Sequence, residues 1–85
     1  MKVRLESGEQ ARALRIEGNV LTLEGPRAFP PGAPIRFSLA TEAGERTFEG
    51  RTIGSKRTGD DSFDVRLRFV NLRRADRERL LRRLG

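Results

Sequence analysis

The sequence predicts an all-β fold: a small six-stranded antiparallel β-barrel carrying one C-terminal α-helix. Three observations lead there. Apolar residues recur at every second position in several short runs, which is the period of half-buried strands. All four prolines fall in one segment, Gly25 to Pro34, leaving the other runs free of strand breakers. So many short strands in 85 residues are best served by closure, because a closed sheet has no exposed edge.

Val3 and Leu5 mark the first strand, Leu14 and Ile16 the second, and Leu21 and Leu23 the third. Gly18-Asn19 between the last two is a tight-turn signal, so this pair reads as a β-hairpin. The proline segment is a loop. Ile35, Phe37 and Leu39 then alternate with Arg36 and Ser38, and a turn at Glu42-Ala43-Gly44-Glu45 leads into a strand from Thr47 to Ile53. Phe63, Val65, Leu67 and Phe69 give the clearest alternation; the expected partner is the Thr47 to Ile53 strand, across a polar loop from Ser55 to Ser62. From Asn71 the period changes. Leu72, Leu80, Leu81 and Leu84 are separated by Arg, Asp and Glu, which predicts an amphipathic helix over about 72–84 packed on a barrel opening. Asn71 is the expected cap and Gly85 the expected stop. Residues 1–85 read as one domain, with strands over about 2–70.

With neither His nor Cys, the chain lacks the commonest general base, the thiol nucleophile and the preferred transition-metal ligands. A non-enzymatic protein without cofactor or metal is expected. Asp60, Asp61 and Asp64 are the only close acidic cluster, and they lack the glycine and distal glutamate of a calcium loop, so they read as a solvated turn. No apolar run is long enough to span a bilayer, and the first residues have no signal-peptide core; a cytoplasmic protein without membrane insertion is the expectation. The net charge of +6, mostly arginine, favours anionic partners.

Three stretches carry a family resemblance. Leu21 to Leu39, with its Phe29-Pro30-Pro31-Gly32 loop, is similar to the strand, proline-glycine loop and strand of the bacterial PilZ domains. Phe48-Glu49-Gly50-Arg51-Thr52-Ile53 is similar to the strand before that family's final hairpin. Val65 to Leu72, followed by Asp76 and the Leu80 to Leu84 helix, resembles its last strand and closing helix, so the likeness covers most of residues 11 to 85. Members that bind cyclic di-GMP use an Arg-x-x-x-Arg pair and an Asp/Asn-x-Ser-x-x-Gly signature, whose guanidinium forks grip phosphate and guanine edges. Here the three signature positions fall on Arg15, Glu17 and Val20, or in a shifted register on Val20, Thr22 and Gly25. Arg12 and Arg15 do not have the required spacing, while Arg73 with Arg77, and Arg79 with Arg83, have it only inside the helix. The resemblance therefore implies a degenerate member that does not bind the nucleotide.

The function expected is a bacterial regulatory adaptor in signalling or motility control, binding another protein with an acidic surface. Its contact residues would be Phe29, Arg73, Arg77 and Arg83. One alternative is a cyclic di-GMP sensor with non-standard contacts from Arg12 and Arg15. The other is a nucleic-acid-binding barrel, which is disfavoured because strand alternation puts Arg66 and Arg68 on the face opposite Leu67 and Phe69.

Overall fold

The computed structural model describes residues 1–41 and 44–84. Six strands, β1 (Lys2–Leu5), β2 (Gln10–Glu17), β3 (Val20–Gly25), β4 (Pro34–Thr41), β5 (Gly44–Gly59) and β6 (Ser62–Phe69), precede one helix, α1 (Arg74–Leu84). They form a closed antiparallel barrel in the order β1-β2-β3-β6-β5-β4, with β1 pairing back onto β4. The all-β barrel with a C-terminal helix stands as expected. No helix among the described residues is long and apolar enough to cross a membrane.

Alternation places the core. Val3, Leu5, Leu21, Leu23, Ile35, Phe37, Leu39, Phe48, Val65, Leu67 and Phe69 all point inward and are buried. Phe37 stacks on Phe48 with ring centroids 5.5 Å apart, and Phe69 meets Phe48 edge-on at 6.0 Å, so one barrel mouth is filled by aromatic rings. Glu17 pairs with Val20 across Gly18-Asn19. Gly18 has φ +62° and Asn19 does not have positive φ, the pattern of a two-residue type II′ hairpin.

Several expectations are corrected. The β2–β3 register slips between Ala13 and Arg15, so Leu14 sits in a bulge, half-buried, and the inward residues are Ala11, Ala13 and Ile16. The polar loop expected from Ser55 to Ser62 is instead the rest of β5, turning only at Asp60-Asp61; Ser55 pairs with Val65, Lys56 with Asp64 and Arg57 with Phe63. Backbone pairing with β6 sustains that arm without an apolar face. Asn71 does not cap the helix. It has φ +56° and turns the chain, while the carbonyl of Arg73 accepts the first helical bond, from the Arg77 N–H at 2.9 Å. Leu81 is exposed at 38%; the inward stripe is Leu72, Asp76, Leu80 and Leu84, at steps of four residues. Of the Glu42-Ala43-Gly44-Glu45 turn, Gly44 and Glu45 instead open β5, paired with Thr41 and Ala40, while Glu42, Ala43 and the Gly85 stop lie outside the described residues.

The proline loop is stitched to β5. Gly32 N–H donates to the Thr52 carbonyl at 2.7 Å, Thr52 N–H donates to the Ala33 carbonyl at 2.9 Å, and the Ser55 hydroxyl both receives the Phe29 N–H (2.9 Å) and donates to the Phe29 carbonyl (2.8 Å). Phe29 is half-buried and packs on the core. Its ring thereby anchors the loop, with part of its surface still exposed.

Candidate functional site

Helix α1 leaves β6 through the Asn71 turn and crosses the barrel mouth to pack against β2, with the end of β4 and the start of β5 facing it across a pocket. Leu80, buried to 2% exposure, joins the barrel core there. Asp76 lies one turn earlier on the same inward stripe, where a leucine would complete the pattern. Its carboxylate is 3.8 Å from Arg46 of β5 and 3.9 Å from Arg79. The acid in the first turn also complements the positive end of the helix dipole.

The remaining arginines of α1 separate into two kinds. Arg74 faces Glu78 at 3.6 Å, an i,i+4 pair. Arg73, Arg77, Arg82 and Arg83 make no ion pair among the described residues. The barrel wall differs, since Arg4, Arg12, Arg15, Arg27 and Arg36 each lie within 3.7 Å of a glutamate. Among the described residues, guanidiniums without an acid therefore run along the helix and its lead-in residue Arg73, and they recur on the outside of β5 and β6.

The three helix arginines singled out from the sequence do not converge on one point. Arg73 and Arg77 are one turn apart on one face, and Arg73 borders a groove with Glu45, Val70 and Leu72. Arg83 turns to the other side, where α1 overhangs a cavity of about 460 Å³. Leu39, Phe48 and Leu80 line that cavity, with Thr41 and Asp76 beside them. Arg79, Arg82 and Arg83 stand at its margin. The sequence reading missed Leu39, Phe48, Arg79 and Arg82 as site residues. Only the β4–β5 register, which pairs Leu39 with Arg46 and Phe37 with Phe48, brings these strand ends under the helix.

Arg12 and Arg15 lie on the outside of β2, either side of the bulge. Each faces a carboxylate at 3.7 Å, Glu24 and Glu17 respectively, and Arg12 alone borders the shallow cleft near Gly25 and Ser62. They form no joint clamp. A second basic surface covers the outside of β5 and β6: Arg51 lies opposite Arg68 in the register, and Arg66 follows on the same face. None of the three makes an ion pair among the described residues, and Arg51 donates only to the Gly32 carbonyl, at 3.3 Å. Searches against family models, curated proteins and solved structures find no match for this chain.

Proposed function

We propose that this chain is a non-catalytic, PilZ-like interaction module that binds an acidic protein surface through helix α1, in a bacterial signalling or motility setting in the cytoplasm. The observation that carries the reading is the run of guanidiniums at Arg73, Arg77, Arg82 and Arg83, which have no ion pair among the described residues and lie close together along α1 and its lead-in. Burying a partner's carboxylates against these side chains breaks no internal ion pair, and arginine serves such contacts with a planar fork of donors. Arg12 and Arg15, each already beside a glutamate and without a shared pocket, support a reading in which cyclic di-GMP is not the ligand. All five phenylalanines lie in or against the core, so the basic β5–β6 wall offers no aromatic platform for stacking bases.

The test is capture of partners from a bacterial lysate by the purified chain and by the Arg73→Glu, Arg77→Glu, Arg83→Glu variant. A partner held at low salt, released as salt rises and lost with the variant is expected, since such contacts act through charge. Equal capture by both proteins refutes the role of α1. Saturable micromolar binding of cyclic di-GMP in a calorimetric titration refutes the adaptor reading in favour of a sensor.

A further inference from the structure

We propose that the cavity beneath the C-terminal half of α1 is a binding site for a small amphipathic anion, an apolar tail carrying a carboxylate head. The volume, about 460 Å³, lies within the range of small-molecule sites. Its floor comes from three different elements, Leu39 of β4, Phe48 of β5 and Leu80 of α1, each under 9% exposed and each part of the continuous core. An apolar tail on that floor displaces water from hydrocarbon and aromatic surface.

The margin sets the sign of the head group. Arg79, Arg82 and Arg83 border the pocket together with one described carboxylate, Asp76, which Arg79 shares with Arg46. Three guanidiniums against one acid leave the rim positive, and Arg82 and Arg83 have no ion pair of their own among the described residues. A carboxylate above the apolar floor meets donors that need not abandon an existing partner. A cationic head would meet repulsion from the same groups. The site shares Arg82 and Arg83 with the proposed docking face, while Arg73 and Arg77 take no part in it, so a small-molecule titration tests it separately from partner capture.

Sodium decanoate, kept below its micelle-forming concentration, is the probe, with decanol and decyltrimethylammonium as head-group controls. Carbon-edited NMR of the full chain reads the methyl resonances of Leu39 and Leu80. The expected result is a saturable shift of both with decanoate, weaker binding of decanol and none of the cation. Replacing Arg82→Gln and Arg83→Gln together is expected to weaken decanoate roughly tenfold, as two charge contacts at a partly exposed rim would, while leaving decanol unchanged. The Lys56→Gln, Arg57→Gln variant removes the same charge from the distant hairpin and is expected to keep the parent affinity. Absence of a saturable shift overturns the proposal, as does equal binding of the cation. So does equal weakening by both double variants, which would reduce the effect to net charge.

Discussion

Gly50 is the position where a single methyl group reports how closely β5 approaches β6. It is buried, opposite Ile35 on one side and Phe69 on the other, and its backbone is not in the left-handed region, so its requirement is for space. A Cβ added there would stand 2.6 Å from the Arg68 carbonyl oxygen and 2.6 Å from Leu67 Cδ1. Ordinary contact begins near 3.4 Å, so the strands or the leucine must yield by about 0.8 Å. Leu67 has no exposed surface to swing into, and the carbonyl is fixed by the barrel. Overpacking of this kind costs about 1–3 kcal/mol. The alanine returns about 0.4–1 kcal/mol by restricting the unfolded chain. A net loss of about 1.3 kcal/mol corresponds to a fall in Tm of about 5–10 °C for a domain of this size. Thermal unfolding followed by circular dichroism measures it. Gly54→Ala, in the same strand but with nothing within 4 Å of the new Cβ, is the control and is expected to keep the unfolded-chain gain of about 0.4–1 kcal/mol without the clash. A Gly50→Ala protein that melts with the parent refutes the close approach.

Three further substitutions test the barrel and the helix seat. Thr52 is buried inside the barrel wall with an Oγ1 that has no hydrogen-bond partner among the described residues, so Thr52→Val is expected to raise stability by about 1 kcal/mol, read as a higher midpoint in urea. Ser55→Ala removes both hydrogen bonds that clip Phe29 to β5; a loss of about 1–2 kcal/mol and faster amide exchange at Phe29 are expected. Asp76→Asn leaves Arg46 and Arg79 without their shared carboxylate and removes the acid from the first turn of α1. About 1 kcal/mol is expected to be lost at low salt and less at high salt, measured by thermal unfolding in both.

The strands with one wet and one dry face were legible in the sequence, because alternation records the dry face directly. Phe63 to Phe69 is the plainest case, and its inward residues are the ones the period selects. What escaped lacked that record. The end of β5, from Lys56 to Gly59, is exposed and carries no periodic signal, and pairing with β6 alone holds it extended. Leu14 misled because a bulge shifts the phase between Ala13 and Ile16, an event set by strand geometry and not by residue type. The helix stripe was misjudged at Leu81 because Asp76 occupies an inward position that hydropathy assigns to solvent. The arginine excess on α1 was visible. Which arginines lack acids was not, since ion pairs such as Arg4 with Glu45 join residues far apart in the chain.

Closure of the sheet also governs how this chain behaves toward copies of itself. Between β1 and β4 the barrel satisfies its last ladder, and the proline loop covers the flank of β5 at Thr52 and Ser55. Beyond Ser55 the arm is held on its β6 side, so the Lys56–Gly59 stretch is where backbone donors and acceptors remain open to strand addition. Two successive cations, Lys56 and Arg57, occupy that stretch, with the Arg57 guanidinium folded onto the carbonyls of Gly59 and Asp60 at 3.0 and 3.1 Å. An incoming strand would bring its own Lys56 and Arg57 against these charges, so the fold guards its open flank by electrostatic repulsion and directs growth away from fibrillar stacking.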